Sequence, residues 1–166
     1  MNTHPGEIVK RLALLPMLLI GAQVGAQNQS AGALWAGSWK LNIAQSTFHA
    51  AAPTQETITI APTGSDSLAF KYTVTGINAT GAPINVSYDG RTDGKMYPHL
   101  VNGKATSQVS YLRQSGHEAT GQINYNDGST GSETISLSSD GRSFTTRLHV
   151  KGKQGDYDET HVFNKV

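Results

Sequence analysis

The sequence predicts an all-β domain: an antiparallel up-and-down meander closed into a barrel of about eight to ten strands. Three observations predict it. Runs rich in Thr, Val, Ile, Tyr and Phe alternate with period two, as half-buried strands do. Asp-Gly, Asn-Gly and related pairs, among them Asp89-Gly, Asp93-Gly, Asn102-Gly, Asn126-Asp-Gly and Asp140-Gly, punctuate those runs at hairpin spacing. No long helical periodicity is present, and the one helical expectation is a single turn at 43–48.

The chain opens with a different kind of segment. Lys10 and Arg11 precede an apolar run from Leu12 to Ile20, and Val24 and Ala26 place small residues before a cleavage point. This is the pattern of a secretory signal. The run falls short of the ~20 residues of a membrane span, and Pro16 interrupts it. The expected organisation is therefore a signal peptide at 1–26, a leader at 27–36 and one barrel domain at 37–166. The product is expected to be exported, periplasmic or extracellular, with no stable membrane insertion after cleavage.

The whole chain carries 13 basic and 12 acidic side chains; without Lys10, Arg11 and Glu7 the two balance at 11 each. A neutral domain lacks the basic footprint that nucleic acid or an anionic membrane requires. It has no cysteine, so strand closure and packing must hold an exported fold without disulfides. Nothing in the composition fixes its oligomeric state.

Strands are expected near 37–42, 55–61, 67–76, 83–90, 95–98, 105–114, 117–126, 130–138, 142–151 and 156–165. A one-residue slip would invert every side chain, so the apolar pattern registers the strands. It pairs Leu137 with Phe144, Glu133 with Leu148, Leu148 with Glu159, Thr146 with His161, and Phe144 with Phe163. Val109 meets Ile123, Tyr111 meets Gly121, Arg113 meets Ala119, Tyr72 meets Tyr88 and Val74 meets Val86. Two further pairings are expected at Ile123 with Glu133 and at Ile58 and Ile60 with Phe70 and Leu68. The opposite face is almost wholly polar, as one wet face and one buried face demand.

The inward face carries chemistry. It holds Tyr72, Tyr88, Tyr111, Tyr125 and Tyr157 together with Arg113, Glu133, Glu159, His161, Thr146 and Glu56. A buried charge must be paired, hydrated or neutralised, and a barrel wide enough to keep a cavity tolerates such groups. Glu133 and Glu159 flank the strand carrying Leu148 at one level, with Cβ atoms roughly 10 Å apart. His49, His99, His117 and His149 are expected on loops or the outer face at spacings that hold no zinc. No metal and no cofactor are expected, and no Ser sits in a G-x-S-x-G elbow. Trp35 and Trp39 are expected to plug the barrel base.

Gly37-Ser38-Trp39, followed by Lys40-Leu41-Asn42 and the turn through Ser46 and Phe48, resembles the opening of the lipocalin-like (calycin) superfamily. Those segments and Ser139-Asp-Gly-Arg-Ser-Phe-Thr are also similar to a group of small exported bacterial proteins. The resemblance implies a lipocalin-like barrel that holds a ligand as a cup does. It also implies that the Trp39 ring lies beneath a basic residue of the last strand, a part that falls here to Lys165 where lipocalins more often have Arg.

Three functions follow as expectations. The first is a binding protein for a small amphiphilic or aromatic, polar-headed ligand, contacted by Tyr72, Tyr88, Tyr111, Arg113, Tyr125, Glu133, Tyr157, Glu159 and His161. The second is a barrel enzyme for cyclisation, elimination or decarboxylation. There Glu159 or Glu133 is the base, His161 the acid, and Arg113 with Tyr111 orients a small anionic substrate. The third is a structural or inhibitory barrel with a filled interior, acting through loops such as Gly90–Gly103.

Overall fold

The computed structural model of the chain describes residues 31–65 and 67–166. The signal peptide expected at 1–26 lies outside the described residues. A short helix, α1 (Ala31–Trp35), leads into ten strands: β1 (Gly37–Leu41), β2 (Gln55–Pro62), β3 (Ala69–Ile77), β4 (Pro83–Arg91), β5 (Tyr97–Val101), β6 (Lys104–Arg113), β7 (Glu118–Tyr125), β8 (Thr130–Leu137), β9 (Ser143–Gly152) and β10 (Gly155–Lys165). Each strand pairs antiparallel with its sequence neighbour, and β1 pairs with β10, so the sheet closes on itself as a ten-stranded barrel. The 3₁₀ turn Ile43–Gln45 falls where the single helical turn is expected. The helix α1 is not foreseen, because its five residues, AGALW, are too few to carry a periodicity.

Most of the pairing follows the apolar pattern. Glu133 and Glu159 both lie opposite Leu148, Thr146 opposite His161, Tyr111 opposite Gly121 and Tyr72 opposite Tyr88. Two hairpins depart from it by even steps, which leave each side chain on its expected face. In the β7–β8 hairpin Glu133 lies opposite Gly121, and Ile123 lies opposite Gly131. The turn is the three-residue Asn126-Asp127-Gly128, closed by Gly128 N–H to Tyr125 O and Tyr125 N–H to Ser129 O. Gly128 takes the left-handed conformation (φ 88°) that such a turn requires. In the β2–β3 hairpin Ile60 meets Tyr72 and Ile58 meets Val74, because β2 runs to Pro62 and β3 begins only at Ala69.

The Asp89-Gly pair is not a turn. Gly90 lies within β4, where its missing side chain makes room for Tyr88: a Cβ there would sit 2.5 Å from the Tyr88 ring and hydroxyl. Tyr88 is 1% exposed and has little room to retreat. Gly90→Ala is therefore expected to destabilise the barrel by about 1–3 kcal/mol through overpacking. Chemical denaturation at neutral pH checks this, and an unchanged midpoint would contradict it.

The core sits toward the α1 end. Trp39 is fully buried, packed with Leu41, Leu137, Phe144 and Phe163. The Trp39 and Phe144 rings meet edge to face at 5.0 Å, and Phe144 stacks on Phe163 at 4.8 Å. The helix α1 closes this end through polar contacts with the strand ends. Trp35 donates its indole N–H to Gly116 O (3.0 Å), and Trp39 donates its own to Trp35 O (3.0 Å). Lys165 Nζ lies 4.8 Å from the centre of the Trp39 ring and donates to Leu34 O at 3.4 Å. Both tryptophans thus take part in closing the base, and Lys165 holds the cation position above Trp39.

Candidate functional site

The barrel interior is not filled. It encloses a cavity of about 340 Å³ whose wall includes Glu56 of β2, Tyr72 of β3, Tyr111 and Arg113 of β6, Glu133 of β8, Thr146 of β9 and His161 of β10. Seven of the inward groups read from the alternation therefore share one space. Strand alternation places them there: each lies on the face that also carries Ile58, Val74, Ile135 and Phe163.

The cavity has two unlike sides. On β3, β4 and β6 the rings of Phe70, Tyr72, Tyr88 and Tyr111 form one cluster. Tyr72 stacks on Tyr88 at 5.2 Å, and Tyr111 stands edge-on to both, at 6.4 Å from Tyr72 and 5.4 Å from Tyr88. Burial pushes the Tyr72 and Tyr111 hydroxyls well above their ordinary range, so both are neutral hydrogen-bonding groups. Tyr88 lies behind this wall, outside the cavity lining, with its hydroxyl buried.

On β2 and β8–β10 the side is titratable. Glu133 lies deep in the barrel with its carboxyl facing the free volume, over Gly121, whose absent side chain leaves space for the Tyr111 ring and the Glu133 carboxylate. Removal from bulk water raises the Glu133 pKa to about 7; the His161 charge and hydrogen bonds with Tyr111 and Thr146 only partly oppose this. Burial also raises Glu56, again opposed by His161. Arg113 lies toward the α1 end and donates to Ser67 O at 3.1 Å, so Glu133 and Arg113 take different partners.

Glu159 behaves differently from its neighbour. It lies outside the cavity lining, with Oε2 3.1 Å from His161 Nε2 and Oε1 accepting the His49 backbone N–H at 3.0 Å. The imidazole and the carboxylate thus lie within ion-pair distance of each other. His161 and the His49 N–H together hold the Glu159 pKa below the usual carboxylate value. The close Glu–His contact and the raised carboxyl therefore fall on two residues, Glu159 and Glu133. Phe48 stacks on His161 (5.0 Å) and His49 on Tyr157 (4.1 Å), so Glu159 and His161 anchor the β1–β2 connection against β10. Tyr125 and Tyr157 line a separate cleft at that mouth, beside His49 and the β7–β8 and β9–β10 turns.

His99 is the main functional group that the sequence reading misplaces. It lies on β5 and faces the cavity, with Nδ1 3.2 Å from the buried Ser107 hydroxyl and its charged form disfavoured by burial. The strand expected at 95–98 runs instead from Tyr97 to Val101. Pro98 reads as a strand end, but it lies at an exposed position, where its missing N–H is tolerated. The Tyr97/His99 alternation was the available signal. Among the described residues no group of three or more His, Asp or Glu is placed to hold a metal ion.

No family model matches the chain, and no curated protein sequence matches it. Solved structures do. A redesigned β-barrel aligns over 82% of this chain and 96% of its own, with a TM-score of 0.51 and 13% identity. A second barrel, described as bound to DFHBI, aligns over 82% of this chain and 98% of its own (TM-score 0.48, 12% identity). Lobster apocrustacyanin A1 aligns over 84% of this chain and 63% of its own (TM-score 0.42, 16% identity). At such identities the first of these speaks to the barrel fold alone.

Proposed function

We propose that this protein is an exported carrier that holds a small amphiphilic, ring-bearing molecule inside its barrel. One observation carries the reading: a cavity of about 340 Å³ with an aromatic wall on one side and Glu133, Thr146 and His161 on the other. Ligand sites combine a mostly apolar concave wall with a few convergent polar groups, and the volume falls at the lower end of their range. The ring lies against Tyr72 and Tyr111, and the polar head reaches Glu133. Placement in the lipocalin-like superfamily belongs to this proposal; Lys165 over Trp39 and the α1 closure support it. Export rests on the basic and apolar segment at 1–26.

The test is to fill the cavity. Ala119 lies on its wall, so Ala119→Trp puts an indole where the ligand ring would sit. A neutral fluorescent ring probe, N-phenyl-1-naphthylamine, is expected to brighten with the wild-type barrel and to lose at least about tenfold in affinity with Ala119→Trp. Equal binding by both proteins would refute an interior site.

Acid–base catalysis is the second reading, and one observation favours it: Glu133, titrating near neutrality, shares the cavity with His161. In it the cavity acid is Glu133, and Glu159 positions His161. Turnover of a bound compound with an inflection near pH 7, lost in Glu133→Gln, is the result that would move the conclusion to an enzyme.

A further inference from the structure

The cavity's polar side has an unbalanced set of charges. Glu133 is met by the neutral hydroxyls of Tyr111 and Thr146, and Glu56 faces the same space from β2. The nearby imidazole, His161, lies against a third carboxylate, Glu159, at 3.1 Å. The other imidazole on the wall, His99, is held at Nδ1 by Ser107, and burial disfavours its charged form. Arg113, the guanidinium on the wall, points to Ser67 O at the α1 end. The polar side therefore presents more carboxyl than cation to whatever enters. The opposite wall offers Tyr72 and Tyr111 rings, whose electron-rich faces also favour a positive charge.

We propose that the cavity selects a ring-bearing primary amine, its ammonium group taken by the Glu133 carboxylate with Glu56 facing the same space, and its ring laid on the Tyr72–Tyr111 wall. This rests on the reading of the cavity as a ligand site and adds the charge of the ligand's head. An ammonium ion supplies the cation that the carboxyls lack, and its three N–H donors suit Glu133 together with the hydroxyl oxygens beside it. A carboxylate-headed ligand would add another carboxyl to a region that already holds Glu133 and Glu56. A neutral alcohol fits the shape and leaves the charge uncompensated.

Three probes of one shape separate these cases: 2-phenylethylamine, 2-phenylethanol and 3-phenylpropionate, titrated calorimetrically into the mature barrel at pH 7. The amine is expected to bind at least about tenfold more tightly than the alcohol, and the propionate more weakly than either. Because the ammonium favours ionised Glu133, amine binding releases a fraction of a proton, read by repeating the titration in two buffers of different ionisation enthalpy. In Glu133→Gln the amine-to-alcohol ratio is expected to fall to about one and the proton release to vanish, and in Glu56→Gln the ratio falls part of the way. An alcohol that binds as tightly as the amine, or an amine preference that survives Glu133→Gln, overturns the proposal and leaves the interior site standing. Failure of all three probes, with N-phenyl-1-naphthylamine also unbound, removes the interior site and the amine with it.

Discussion

Replacing Trp39 with alanine is expected to cost about 3–5 kcal/mol of stability, enough to unfold a domain of this size or bring it close to unfolding. Trp39 is completely buried, and its packing against Phe144, Leu137, Phe163 and Lys165 joins parts of the chain far apart in sequence. Its ring lies edge-on to Phe144 of β9, its indole N–H ends on Trp35 O, and Lys165 of β10 covers its face. In the ladder it lies between Lys165 and Ile58, at the seam where the first strand meets the last. That seam is short: β1 and β10 share three residue pairs, from Trp39–Lys165 to Leu41–Phe163. With no cysteine in the chain, nothing covalent replaces the lost packing. The loss therefore combines a cavity in the core with weakened closure of the barrel, and an unclosed barrel exposes two strand edges. Urea titration followed by far-ultraviolet circular dichroism reads the change. A Trp39→Phe variant, which keeps a ring and loses the indole donor, should fall between the two proteins. If Trp39→Ala unfolded with the wild-type midpoint, the ring would not be holding the closure.

The fold was legible because barrel geometry repeats one rule many times. Alternation registers each hairpin against its neighbours, and the pairs around Leu148, Thr146 and Phe144 follow from it without further information. The two departures, at β2–β3 and β7–β8, arise in turn length, which the apolar pattern constrains only to even steps. The site was legible to the same depth. The inward face of Tyr72, Tyr111, Glu133 and His161 could be read residue by residue, since facing inward depends on alternation alone. Height along the barrel is less visible in sequence. Tyr88 faces inward but is spent on the core, and Tyr125 and Tyr157 fall at the mouth. Glu159 was legible as a neighbour of His161, yet its second bond goes to the His49 backbone, in a loop with no alternation to follow. Asp89-Gly shows the limit of dipeptide signals: the glycine is there for the ring of Tyr88, and the chain runs straight through it.

Stability is expected to fall as pH rises from about 4.5 to above 7, and Glu133→Gln is expected to abolish most of that fall. The Glu133 carboxyl titrates at 4.5 when unfolded and at about 7 in the barrel. Between those values the folded protein binds more protons than the unfolded chain, so each step up in pH favours unfolding. Below 4.5 the group is protonated in both states and contributes no difference. Above 7 it is ionised in both, and the full cost of holding a carboxylate away from water is present. Each tenfold change in proton affinity corresponds to about 1.4 kcal/mol, which places the total at about 3 kcal/mol. Glu56, also raised by burial, adds to the slope in the same direction. Glu159 has the opposite sign: its lowered pKa contributes stability that is lost only as the pH drops through the acid range. The two effects place the stability maximum on the mildly acidic side of neutrality. Glutamine at position 133 keeps a polar group against Tyr111 and Thr146 and removes the titration. Unfolding free energies of wild type and Glu133→Gln, from denaturant titrations, should therefore nearly coincide at pH 4.5 and separate by about 3 kcal/mol in favour of the variant at pH 8. Curves that stay parallel across that range would show that the carboxyl is fully hydrated. They would also remove the buried negative pole on which recognition of a cationic head depends.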